Sequence, residues 1–350
     1  MTPELFTLCL ALPIVLLLGW AFRRLPDERW QMLAAVPLRK YPDGTWSGVN
    51  LTWYGFFSAT AYTAAVAVFT VLMAAGGTPA AGIAAMAAAA LVICIPAASL
   101  IARLVERKRY VFTVGGAAFA GIIAIPVAVV ALQELIGRGR GWNLQVLPVL
   151  AAISTAYCLG EGLGRLACIS FGCCYGMPLG RAPGWMQRLF SGCAFVFSGA
   201  TKKIAYAHGL DGTPVVPVQA VSAAINCACC CAGCWLLLTG HVRASFLLTA
   251  TVSQLWRVAS EFFRADYRGG GDVSAYQIMS AAGSVIAFVF MLLPFSAVAA
   301  LVDIPAGLRI LWRPAAIFGL QGLWIFIFLY TGCSMVTGST LSFHVRHSRV

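Results

Sequence analysis

Long runs without a charged side chain constrain this chain more than any other feature. Windows of roughly 18–25 mostly apolar residues, the length a helix needs to cross a bilayer core, fall at 4–22, 51–75, 80–102, 111–135, 144–164, 216–238, 244–263, 275–301 and 314–337. In hydrocarbon every backbone polar group has to be satisfied within its own segment, and that selects helices. The expectation is an all-α polytopic integral membrane protein with about eight to nine transmembrane helices. Composition supports this: 60% of residues are hydrophobic and 10% charged, and the mean hydropathy of +0.85 is spread along the length. A pair of soluble domains and a soluble enzyme on a single anchor are both excluded. The first run, Leu5 to Phe22, follows an acidic start at Glu4 with no basic segment ahead of it, and reads as a retained membrane helix. The one sizeable connection, 166–215, is expected to fold as a small extramembrane cap.

The net charge of +12 comes from 24 Lys and Arg against 12 Asp and Glu. The basic residues sit in short loops between apolar runs, so anionic membrane lipid is the expected partner and nucleic acid is not. The thirteen cysteines are odd in number and mostly within apolar runs, which argues against a disulfide framework. Cys227, Cys229, Cys230, Cys231 and Cys234 fall mid-span and read as small polarizable hydrophobes rather than metal ligands. The sequence holds no His-Glu-x-x-His and no nucleotide-binding glycine loop, so neither a metal nor a cofactor is expected. Of four histidines, His208, His344 and His347 lie in exposed-looking stretches, and histidine chemistry is not expected at the centre.

Charge inside a span is costly and marks function. Glu161 and Arg165 lie four apart at the end of the fifth run, and Arg257, Glu261 and Arg264 share the end of the seventh. Both runs end on the same membrane side, so the clusters can converge and Arg165 and Arg257 can clamp one anion. The planar, permanently charged guanidinium fork suits a phospholipid phosphate. The bland alternative is a pair of self-satisfied intrahelical ion pairs. After Arg165 comes a Cys168, Gly172-Cys173-Cys174-Tyr175-Gly176 stretch. Its glycines permit close backbone approach to a ligand, and its thiols are either activated by the neighbouring cation or packed in a turn.

These residues resemble the prolipoprotein diacylglyceryl transferase family in order. Trp53-Tyr54-Gly55 resembles the family's Trp-Tyr-Gly, Gly115-Gly116 the end of its His-Gly-Gly, and Gly164-Arg165 through Gly176 its glycine-arginine signature. Arg257-x-x-x-Glu261-Phe262-Phe263-Arg264 resembles its Arg-x-x-x-Glu-Phe run, and Pro217-Val218-Gln219 echoes its Pro-x-Gln element. The resemblance divides the chain into an added helix and basic loop (1–50), a transferase-like core (51–302, cap 166–215) and an added helix and tail (303–350). It implies a phosphatidylglycerol donor, a lipoprotein-precursor thiol as acceptor and a bacterial cytoplasmic (inner) membrane. It also implies catalytic roles for Arg165, Arg257, Glu261 and Tyr54, with Glu261 orienting Arg257. Arg264, Gly176, Gly115, Gly116, Cys168, Cys173 and Cys174 would line the substrate site. The chain departs from the family where Val114 replaces His, Cys168 replaces Asn, Cys173 replaces Glu and Val216 replaces His. Loss of the His, a candidate base, leaves a non-catalytic lipid-binding accessory protein as the alternative. The family's orientation puts the signature face outside the cytoplasm, whereas Arg and Lys in 23–50 and 103–110 argue for the inside.

Overall fold

The computed structural model describes residues 1–106, 114–265, 273–295, 302–341 and 344–350, with only the backbone described at 106, 114 and 335–340. Among the described residues, eight helices are long and apolar enough to cross a membrane. They are α1 (Pro3–Arg24), α2 (Trp53–Ala75), α3 (Ala80–Glu106), α4 (Val114–Leu132, continued by further helical turns), α5 (Val146–Phe171), α8 (Val218–Leu238), α10 (Ala275–Leu292) and α12 (Pro314–Gly332). Between them lie three short helices, α6 (Gly184–Phe190), α7 (Lys203–His208) and α11 (Ile304–Leu311), and the more polar α9 (Val242–Glu261). Connectivity makes α9 a ninth crossing. It begins next to the far end of α8, reaches Arg257 beside α5, and is followed by α10, which starts at the same end as α8.

Helix ends follow local chemistry. Thr52 caps α2 by accepting from Gly55 N, and Ser274 with Gln277 forms a full capping box on α10. α5 stops at Gly172, whose φ of 70° is left-handed. There Gly172 N donates to Ile169 O at 3.2 Å and Cys173 N to Cys168 O at 3.0 Å, the paired bonds of a Schellman motif.

Small residues let the central helices approach closely. A β-carbon on Gly162 would press into the backbone and thiol of Cys227, and one on Gly233 into Thr155 and Thr249. Hydroxyls link the same helices: Ser154 and Thr249 lie 2.7 Å apart, and Ser245 donates to Gly233 O at 2.8 Å. Buried Cys227, Cys230 and Cys234 fill the remaining gaps of α8.

One membrane face carries β structure among the helices. β1 (Met32–Lys40), β2 (Trp46–Thr52) and β5 (Cys333–Leu341) form an antiparallel sheet in the order β1-β2-β5. The loop read as merely basic is therefore a hairpin, closed by the residues that follow α12. The cap lies at the same face, with α6, α7 and the paired two-residue strands β3 (Phe195–Val196) and β4 (Pro214–Val215). The cap is held down by Ser198 N donating to Pro26 O and by Glu28 accepting from Thr201.

Candidate functional site

The two charged clusters meet. Glu161 on α5 is 5% exposed, and a carboxylate withdrawn from water to that degree requires cationic or hydrogen-bonded partners. It has both arginines: Arg165, one turn along the same helix, and Arg257 Nη1 from α9 at 3.1 Å from Oε1. The Tyr157 hydroxyl donates to Oε2 at 3.5 Å. Two guanidinium groups on one carboxylate leave a net positive site, and Arg257 Nε has no hydrogen-bond partner among the described residues. Gly115 makes room for Arg257, because a β-carbon there would press on its guanidinium.

This pairing corrects one expectation. Glu261 does not orient Arg257; it lies 3.7 Å from Arg264. The reason is burial: Arg257 faces α5 from inside the bundle and neutralises the more deeply withdrawn Glu161, while Glu261 is the last residue of α9 and meets Arg264 where the chain turns.

The cysteine segment is a built loop. Cys168 and Cys173 occupy the two ends of the Schellman motif and are brought together by it. Cys174 has φ 58° and is, among the described residues, the one non-glycine in the left-handed region. The three sulfurs lie within 4.8 Å of one another. Gln219, the glutamine of the Pro217-Val218-Gln219 element, donates to Cys173 O at 3.0 Å. Tyr175, Gly176 and Met177 pair with the strand-like turn after α9: Met177 N donates to Phe263 O at 2.9 Å, and Gly176 bridges Arg264. A side chain at Gly176 would strike Val216 O. Arg264 is thereby pinned beside the thiols. Hydrogen bonds from the Cys168 and Cys173 thiols, with Arg264 and Arg165 nearby, pull the Cys174 thiol below its ordinary range.

Both groups open into one cavity of about 1180 Å³. It is lined by Tyr54, Glu161, Arg165, Arg257, Arg264 and the three thiols, and its remaining walls are mainly apolar, with Phe69, Leu91, Ile125 and Leu150 beside a few polar groups such as Arg103 and Gln254. Tyr54 sits in the first turn of α2 with its ring 5.7 Å from that of Phe171. Gly116 is buried beside Gly115 without lining the cavity. The side chain of Val114 and the residues at 266–272 lie outside the described residues.

Two residues entered unforeseen. His208, at the end of α7, lines the cavity rim and hydrogen-bonds through Nδ1 with the Tyr175 hydroxyl; no sequence spacing signals it, because the cap delivers it. Lys202 is fully buried, with Nζ donating to Leu25 O at 2.9 Å and Ser170 O at 2.5 Å. Burial lowers its pKa to about 7.

A search of curated proteins finds no relative. The family model for prolipoprotein diacylglyceryl transferase matches residues 45–293, more than half of the chain. That match takes in the two arginines, the thiol loop and the glycines around them. Together with the membrane-spanning helices that enclose them, it establishes that this chain belongs to the prolipoprotein diacylglyceryl transferase family, membrane transferases that move a diacylglyceryl group onto a prolipoprotein.

Proposed function

We propose that this protein transfers the diacylglyceryl group of phosphatidylglycerol to the cysteine thiol of a lipoprotein precursor, in the bacterial cytoplasmic membrane. The observation that carries the reading is the pair of arginines held on Glu161 in a cavity whose walls are mainly apolar. In this reading the acyl chains occupy the apolar walls and the phosphate takes the arginine end. The acceptor thiol gives its proton to water, its sulfur attacks the glycerol carbon that carries the phosphate, the carbon–oxygen bond breaks, and glycerol phosphate leaves with the electron pair. Arg165 and Arg257 stabilise the charge that grows on that leaving group, preorganised by Glu161 so that no reorientation is needed during the reaction. Arg264 supports the same end, Tyr54 adds a hydroxyl, and Gly115 and Gly176 leave room for backbone and guanidinium. Residues 51–302 are read as the transferase core, with 1–50 and 303–350 as additions.

The test is transfer by purified protein in vesicles containing phosphatidylglycerol, with a cysteine-bearing lipopeptide and mass-spectrometric detection of the thioether. Arg257→Lys replaces a fork by a point charge, and the transfer rate should fall roughly 100- to 1000-fold. Unchanged transfer would remove the arginine clamp. Lipid binding without any transfer by the wild type would favour the accessory-protein reading that Val114 raises.

A further inference from the structure

Three thiols line the cavity with the arginine pair, and the arginine clamp does not use them. Their arrangement is specified by the backbone. The Schellman turn that ends α5 places Cys168 and Cys173 side by side. Successive side chains on an extended chain point apart, so a third thiol from Cys174 needs an unusual dihedral, and Cys174 has one at φ 58°. A left-handed conformation in a residue with a β-carbon is costly and persists where the surroundings impose it. Gln219 on the Cys173 carbonyl and the Gly176 bridge to Arg264 hold the loop from both sides.

All three sulfurs lie within 4.8 Å of one another. A tetrahedral zinc with bonds of about 2.3 Å to sulfur spaces its thiolates at about 3.8 Å. Three protein ligands with an open fourth position is the pattern of catalytic zinc, whereas four closed ligands is that of structural zinc. Charge also fits. Zinc with three thiolates carries one negative charge, and Arg165 and Arg264 line the same cavity as the three thiols.

We propose that Cys168, Cys173 and Cys174 form a three-thiolate Zn²⁺ site whose fourth position takes the thiol of the acceptor. The inference rests on the transferase reading for its acceptor, while the site itself does not. It also bears on the departure at Val114: the chain has no histidine at that position, while three thiols line the cavity with the arginine pair. The acceptor thiol binds zinc and releases its proton to water, since a coordinated thiol is deprotonated. The bound thiolate attacks the glycerol carbon, a carbon–sulfur bond forms, and the carbon–oxygen bond breaks. Glycerol phosphate departs with the electron pair onto Arg165 and Arg257, and the neutral thioether, a weaker ligand, leaves the metal. No oxidant or reductant enters.

The experiment uses the full chain purified in detergent without added metal, with elemental analysis and Co²⁺ substitution. Expected is about one Zn²⁺ per chain and, after exchange, a thiolate-to-cobalt charge-transfer band. Both should be lost in Cys168→Ser and in Cys174→Gly and kept in Cys230→Ser, which alters a thiol buried elsewhere. Cys174→Gly retains the backbone conformation that glycine adopts freely, so loss of metal there is not loss of fold. Removing zinc with a chelator should lower transfer roughly a hundredfold, and Zn²⁺ should restore it. Substoichiometric metal that is indifferent to these substitutions overturns the site, as does a disulfide among the three in place of zinc. Full transfer by zinc-free protein overturns the metal role and leaves the transferase reading intact. Stoichiometric zinc with no transfer under any condition supports the site and removes the transferase reading instead.

Discussion

Glu161 and Lys202 are the two residues whose burial has the sharpest consequences. Glu161 holds two guanidinium groups in a place from which water is excluded. Glu161→Gln leaves two like charges facing each other, and breaking a buried ion pair from one side costs about 3–5 kcal/mol. Thermal unfolding in detergent should show that loss, whereas Glu261→Gln, which touches Arg264 alone among the described arginines, should cost less than half as much. Equal effects would make the two acids equivalent and undo the assignment of Glu161 as the centre. For Lys202 the sign follows from linkage. The buried ammonium has a pKa of about 7 against 10.5 for an ordinary lysine. Between those values the unfolded chain binds a proton that the folded chain lacks, so stability rises with pH across that window. Below pH 7 both states are protonated and the full cost of burying the charge remains. Melting temperature measured from pH 7 to pH 9 should therefore climb, and Lys202→Met should flatten the slope. A wild-type slope of zero would mean that the carbonyls of Leu25 and Ser170 fully replace the lost hydration.

At the scale of elements, α2 and α12 cross where each has a glycine. A β-carbon on Gly55 would overlap the backbone of Gly332, and Thr52 Oγ1 donates to Gly332 O at 3.0 Å across the same crossing. This contact fixes where α12 ends and so where β5 can join β2. It also sets the height of Tyr54, the residue before Gly55. Gly55→Val should separate the two helices and cost about 1–3 kcal/mol, the usual range for overpacking. The melting temperature measures the cost, and transfer activity should fall with it because Tyr54 moves. A variant with wild-type stability and activity would show that the crossing adapts freely. The motif Trp53-Tyr54-Gly55 was legible in the sequence as a resemblance, but its glycine has a partner almost three hundred residues away, which no spacing reveals.

At the scale of the molecule, the start of α1 and the arginine site lie on opposite faces, since Glu4 accepts from Trp235 at the far end of α8. The site face carries Arg23, Arg24, Arg29, Arg39, Lys40 and Arg103, whereas Arg138, Arg140, Arg243, Arg309 and Arg313 lie at the other ends. Charge alone would put the site in the cytoplasm. The proposed chemistry places it outside, where a precursor presents its cysteine, with each basic residue near anionic lipid contributing about 1 kcal/mol to holding headgroups. A cysteine at Asp43, in the exposed turn between β1 and β2, in a background without reactive native thiols, should be labelled in intact cells by a membrane-impermeant maleimide. Labelling only after permeabilisation would put the site inside and remove the lipoprotein acceptor.

The sequence by itself determined the class of the protein and the identity of its charged centre. Hydrocarbon tolerates so few ionised side chains that length, hydropathy and the few charges inside spans were enough to find the helices, Glu161, Arg165 and Arg257. It did not determine which carboxylate serves which arginine. Glu261 has the favourable spacing to Arg257, yet burial rather than spacing set the partner, and burial exists only after α5 and α9 pack. The same holds for the three thiols, the rim histidine and the sheet on the site face. Cys173 and Cys174 join Cys168 through two left-handed residues, Gly172 and Cys174, and His208 arrives with the folded cap. β5 reaches β2 only because α12 returns the chain to that face. Local patterns record which groups a segment can bury or bond to its neighbours along the chain, whereas these contacts join segments whose separation in sequence carries no periodic signal, so the tertiary structure alone decides them.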